Sequence, residues 1–136
     1  MSEVITFTAP GDPIPQGSKS AFVRGKRAVM IEANPRLKTW RQIVTLYARR
    51  HAGKFTGHRA LHVTYVFYLT KPKSVLRWLP WVKPDLDKLI RAVNDSISNA
   101  GVWDDDSRVT AITSRKRYAD DANPPGAIIT IREDTL

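Results

Sequence analysis

Residues 83–109, KPDLDKLIRAVNDSISNAGVWDDDSRV, put five carboxylates at the two ends of one amphipathic helix, and this segment constrains the chain more than any other. Asp85 and Asp87 open it, and Asp104, Asp105 and Asp106 follow its end. Leu86, Leu89 or Ile90, Val93, Ile97 and Ala100 recur at helical spacing, and Gly101 supplies a stop. Asp87, Arg91, Asp95 and Ser98 form the adjoining stripe, which directs a basic group one turn beyond Asp87. Asp85 falls at the N-cap, where the helix dipole favours negative charge. Capping explains one aspartate but leaves the distant triplet without a role. Carboxylates held close together repel and take up a proton unless a cation lies between them. Hard divalent cations such as Mg²⁺ favour a few carboxylate oxygens with water and substrate phosphate. The segment therefore reads as a metal site.

Charge identifies the partner. The 136 residues carry a formal net charge of +9, unevenly spread. Residues 1–84 hold 15 Lys and Arg against 3 acids, whereas residues 85–136 hold 7 against 10. An acidic segment on an otherwise basic chain of pI near 10.2 fits a protein that binds a polyanion, with nucleic acid as the first candidate. No helix combines a wide apolar face with a Lys/Arg-rich one, so a membrane surface is disfavoured. Length and composition fit one soluble globular domain over residues 1–136, with no leader or membrane span expected. Without cysteine, disulfides and thiolate metal sites are excluded and a cytoplasmic setting is expected.

Along the chain, residues 4–9 read as a strand, followed by a Pro/Gly-rich connection. Residues 21–31 read as a hairpin whose tip carries Arg24, Lys26 and Arg27, with Lys19 just before it. Asn34-Pro35 signals a helix start, Asn as cap, with Leu37, Trp40, Ile43, Val44 and Tyr47 on its apolar face and Gly53 as a stop. Residues 60–70 alternate as a central strand. His58 and His62 lack partners at a ligand spacing and read as structural or surface residues. KPKSVLRWLPWVKP then interleaves tryptophan with cations, including Lys73, Arg77 and Lys83. It fits a loop lying along a nucleic-acid strand. It equally fits a lid whose Trp78 and Trp81 close a core or a subunit interface, and packing is the expected role of at least one of them. Residues 109–118 and 127–132 are expected to form a terminal β-hairpin. The fold class is α+β, a mixed or antiparallel sheet with two main helices packed on it.

Phosphodiester hydrolysis needs an activated water, neutralised phosphoryl charge and help for the departing 3′ oxygen. One or two Mg²⁺ or Mn²⁺ ions on three or four carboxylates supply all three. Asp85, Asp87 and Asp106, with Asp105 as helper, fit that set if the acidic loop folds back on the helix start. No Ser-His-Asp or Cys-His arrangement competes, and no glycine-rich phosphate loop points to a nucleotide cofactor.

The run PDLDKLIRAVNDSISNAGVWDDDSRV resembles the signature of RusA-family Holliday-junction resolvases of bacteria, prophages and phages. Their pattern is D-x-D-N-L, a basic residue, D-A-L, G-x-W or a variant, then an acid pair and V. The likeness spans Pro84 to Val109 without insertion. It implies a homodimeric crossover-junction endodeoxyribonuclease of recombination and repair, in a bacterial cytoplasm or phage-encoded. Such an enzyme nicks opposed strands of a four-way DNA junction with Mg²⁺ or Mn²⁺. Asp85, Asp87 and Asp106 match the family's catalytic carboxylates. Arg91 stands where the family's catalytic lysine usually lies, and Lys88, where Asn is common, is a partial substitute. Arg keeps the charge but is not a proton donor at neutral pH. The alternatives are a non-catalytic protein that binds branched DNA and an RNA-directed nuclease.

Overall fold

The computed structural model describes residues 3–17, 20–24, 27–31 and 35–136. For residues 20–24 and 27–31 it describes the backbone only. The alternating segments become strands: β1 (Val4–Pro10), β2 (Ser20–Arg24), β3 (Arg27–Ile31), β4 (Leu61–Leu69), β5 (Val109–Tyr118) and β6 (Gly126–Glu133). The 3.6-periodic segments become α1 (Arg36–Ala48) and α2 (Leu86–Asn99). Short 3₁₀ turns follow α1 at Arg49–His51 and precede β5 at Asp106–Arg108. The fold is α+β, with a four-stranded mixed sheet in the order β1-β6-β4-β5 and two helices.

β2 and β3 pair antiparallel from Ser20↔Ile31 to Arg24↔Arg27, which is the hairpin expected there. Lys19, Lys26 and the Asn34 cap lie outside the described residues. Pro35 occupies the N-cap position of α1.

One face of the sheet is buried. Leu61, Val63, Tyr65 and Phe67 of β4 alternate inward beside Ala127, Ile129 and Ile131 of β6 and Ile5 and Ala9 of β1. Leu37, Trp40, Val44 and Ala48 of α1 and Leu89, Ala92, Val93 and Ile97 of α2 complete this core. Each fully buried aliphatic side chain contributes about 1.5–3 kcal/mol of transfer free energy, so this layer carries most of the stability. Gly126 lets β1 and β6 approach: a Cβ there would lie 2.5 Å from the Ala9 carbonyl oxygen. Among the described residues no helix is long and apolar enough to cross a membrane.

The expected terminal hairpin does not form. β5 pairs parallel with β4, from Leu61↔Val109 to Leu69↔Tyr118, and α2 is the crossover between them. β6 enters antiparallel on the other side of β4, between β4 and β1. Burial explains the choice. β6 offers an unbroken apolar row suited to an interior strand, whereas Arg115, Lys116 and Arg117 make β5 tolerable only at an edge. The 119–125 connection then spans β4: Ala119 N donates to Leu69 O (2.7 Å) and Gly11 N to Pro125 O (3.1 Å).

The two expected lid tryptophans are also out of the core. Trp78 and Trp81 are exposed, while Trp40 and Trp103 are buried. Three prolines hold residues 71–84 away from regular structure, and only Pro80 of that loop is buried.

Candidate active site

The parallel β4–α2–β5 unit builds the site. It delivers the chain from the end of β4 through the 71–84 loop to the start of α2, and returns it along the sheet edge. Asp85 is the N-cap residue of α2 with extended backbone (φ −69°, ψ 135°), and its carbonyl accepts from Leu89 N at 3.2 Å. Its side chain makes no cap bond. The only ionic neighbour of that carboxylate among the described residues is Lys88, whose Nζ lies 3.9 Å from Oδ2. Both groups are well exposed, so the pair contributes at most about 1 kcal/mol. Asp87, in the first turn, is exposed and has no hydrogen-bond or ion-pair partner among the described residues. Both carboxylates are therefore available at the positive end of the α2 dipole.

Asp106 begins the 3₁₀ turn before β5, which contacts α2. Its neighbour there is Tyr65 of β4, whose hydroxyl donates to Asn94 Oδ1 of α2 at 2.6 Å. Burial holds the Tyr65 phenol well above its usual range, and the Asp106 charge raises it further. Tyr65 thus stays a protonated donor, and Asn94 lies seven residues beyond Asp87, on the same stripe of the helix. The other two acids of the triplet are engaged. Asp105 Oδ2 accepts from Ser107 N at 3.1 Å and caps the 3₁₀ turn. Hydrogen bonding from Ser107 keeps its carboxyl below the usual range. Asp104 Oδ2 accepts from Gly57 N at 2.8 Å, pinning the loop to the segment after α1.

Arg91 is exposed one turn beyond Asp87, whereas Lys88 leans toward Asp85. Asp95 does not stay on the Asp87 stripe but turns to α1, where Arg41 Nη2 lies 3.8 Å from its Oδ2. Of the expected DNA contacts, Lys73 and Lys83 are exposed with no ionic partner among the described residues. Arg77 Nη1 donates to Tyr118 OH at 2.9 Å, and its guanidinium lies 5.2 Å from the Trp81 ring centroid. Arg24 and Arg27 face one another in register as the last pair of the β2–β3 hairpin. His62 is structural as expected, its Nε2 2.9 Å from Thr113 Oγ1 and its Nδ1 3.3 Å from Arg132 Nη2.

Sequence reasoning did not single out Lys116. Its Nζ donates to Val82 O (2.5 Å) and Pro84 O (2.7 Å), fastening β5 to the turn that aims Asp85. Its separation from Asp85 in the chain hides this, and its only visible signal was membership of the Arg115–Arg117 basic run. Charged-donor bonds of this kind contribute about 1.5–3 kcal/mol each. Lys116→Met should lower stability by about 2 kcal/mol in urea titration and slow cleavage about tenfold, with nucleic-acid affinity nearly unchanged. Unaltered stability and rate would show that the two bonds do not hold the turn.

Among the described residues no three Asp, Glu or His side chains are grouped so that they could hold a metal ion, so Asp85, Asp87 and Asp106 do not form a ready-made triad. The donor set still fits a hard cation: two exposed carboxylates at one helix start, neither used as a cap, offer only oxygen, and Mg²⁺ at phosphate sites uses one or two carboxylates plus water and substrate. A groove of about 900 Å³ runs along α1 past Lys38, Arg41 and Arg49 and is lined by none of these acids. The carboxylates stand instead on an open surface, which a strand of a large polymer can reach.

The family model described as endodeoxyribonuclease RusA matches residues 10–132. The chain belongs to that family. The match takes in all five acids, α2, the 71–84 loop and the whole β4–α2–β5 unit. RusA membership makes the chain an endodeoxyribonuclease of a family acting on branched DNA junctions. The uncharacterised protein YqaN of Bacillus subtilis strain 168 is 29% identical over 147 aligned positions, spanning 96% of this chain and 97% of YqaN.

Proposed function

We propose that this RusA-family chain is a homodimeric, Mg²⁺- or Mn²⁺-dependent resolvase that nicks opposed strands of four-way DNA junctions. The observation that carries the reading is Asp85: it occupies a capping position without using its carboxylate as a cap, its one ionic neighbour among the described residues is Lys88, and it lies two residues from Asp87, which has no partner among them. A protein that employed these acids only to stabilise a helix would spend at least one of them on the α2 backbone.

Asp85 and Asp87, joined by Asp106, would hold the ion, and Asp105 stays with its 3₁₀ turn. An ion held there would supply an acidified water and charge neutralisation at the scissile phosphate. The chain's own groups do the rest. Arg91 meets the phosphoryl oxygens from one turn beyond Asp87 and stabilises the charge that develops on them. Its guanidinium stays charged and orients without donating a proton, so Lys88 or solvent protonates the leaving oxygen. Lys73, Lys83 and the β2–β3 hairpin supply phosphate contacts. Tyr65 and Asn94 keep the Asp106 turn against α2.

The metal reading has its own test. Calorimetric titration with Mn²⁺ should show binding that weakens at least about tenfold in Asp85→Asn, since one charged oxygen ligand is lost. Equal Mn²⁺ affinity in the two proteins would remove Asp85 from the site.

A further inference from the structure

We infer that Trp78 and Trp81 form a stacking platform for unpaired bases at the branch point of bound DNA, an inference that rests on the nuclease reading above. Leu76, Trp78 and Trp81 are 89%, 91% and 74% exposed, and Leu79 and Val82 are exposed beside them. Isolated exposed apolar residues need no explanation, but five within residues 76–82 mark a contact surface.

The surrounding chemistry selects the occupant. Residues 70–84 contain Lys71, Lys73, Arg77 and Lys83 and no Asp or Glu. Like charge disfavours the same loop of a second copy, and aromatic faces interleaved with cations match the way single-stranded nucleic acid is gripped. Trp81 is held in place, because Arg77 lies over its ring while donating to Tyr118 OH. Lys71 Nζ lies 5.7 Å from the Tyr118 ring centroid, so the same tyrosine gathers two of the loop's four cations. The platform is also continuous with the acids: Trp81 lies four residues before Asp85, and Lys116 fixes the intervening carbonyls.

Bases in a linear duplex have both faces covered by their neighbours. Only nucleotides splayed at a branch, gap or free end offer a face to an indole. Stacking here therefore favours branched over linear DNA without reading sequence, and sets the splayed nucleotides next to the carboxylates.

The test uses the full-length protein in EDTA, so that no cleavage intervenes, with a synthetic four-way junction, oligo(dT) and a blunt linear duplex as probes. Trp40 and Trp103 are 2% and 1% exposed, so a DNA-induced change in tryptophan emission reports on Trp78 and Trp81. Junction and oligo(dT) should quench that emission and duplex should not. Trp78→Ala/Trp81→Ala should abolish the quenching and weaken junction binding by about 5- to 150-fold per stacked base, leaving duplex binding within about twofold. Both side chains lie outside the core, so the fold survives the change. Undiminished junction affinity in the double variant, or equal quenching by duplex, overturns the inference alone. Quenching by anionic phospholipid vesicles with none from DNA assigns the surface to a membrane and also overturns it. Wild-type protein that binds no junction overturns the functional reading and this inference together.

Discussion

Asp87→Asn will lower junction cleavage by about a thousandfold or more while leaving junction affinity in EDTA within about threefold of wild type. The expectation follows from what Asp87 does not do. It is exposed, in the first turn of α2, and makes no hydrogen bond or ion pair among the described residues. Replacing it with an amide of the same shape disturbs no packing and costs only the small favourable interaction with the helix dipole, about 0.3–1 kcal/mol. The loss therefore falls on chemistry. An amide oxygen carries no formal charge with which to hold a divalent cation, and the water and phosphate that the cation would organise lose their anchor. Binding should hold or tighten slightly, because a negative charge beside the phosphate path has gone. Single-turnover rates on a labelled four-way junction, with affinity measured separately in EDTA, distinguish the two effects. A variant cutting at the wild-type rate in Mg²⁺ would place the chemistry elsewhere.

Lys73→Glu/Lys83→Glu is the second large effect. Both side chains are exposed on the loop leading to Asp85. Each phosphate contact releases condensed counterions, so removing two should reduce the slope of log affinity against log salt by about 1.8. Reversing the charges adds repulsion to the lost attraction, and junction affinity at low salt should fall by about a hundredfold. The fold should be indifferent, since neither lysine has an ionic partner among the described residues. Fluorescence anisotropy across a salt series reads both quantities. An unchanged slope would put the DNA path on other cations, such as Arg115 and Arg117 of β5.

How much of this was legible before the structure depends on the range of the interactions involved. Helix α2 was legible at both ends, because Asp85 and Gly101 are local signals and Gly101 does adopt the left-handed backbone (φ 74°). β4 was legible because its strict alternation is a property of nine consecutive residues. The pairing of β5 and β6 was not. Turn chemistry around Pro124 and Pro125 announces a reversal but not which strand lies beyond it. The neighbour was decided by burial across the whole sheet, which seats the apolar row of β6 inside and the basic run of β5 at the edge. The carboxylates divide in the same way. Asp85 and Asp87 could be singled out from a helix start, but the bonds that commit Asp104 to Gly57 and Asp105 to Ser107 depend on loop geometry. Lys116 illustrates the limit most clearly, since its two carbonyl partners lie 34 and 32 residues earlier in the chain. Trp78 and Trp81 were legible only in part: tryptophan in a proline-rich loop suggests packing by its size, and the structure places both outside the core of the chain.

The carboxylates at the start of α2 are proposed to serve metal-dependent cutting of branched DNA. Wild-type protein should therefore be incubated with a synthetic four-way junction with and without Mg²⁺, and the products resolved strand by strand. Paired, symmetric nicks in opposed strands should form with Mg²⁺ or Mn²⁺ and be absent in EDTA. A junction left intact in both metals, or nicked equally well in EDTA, would contradict the proposal.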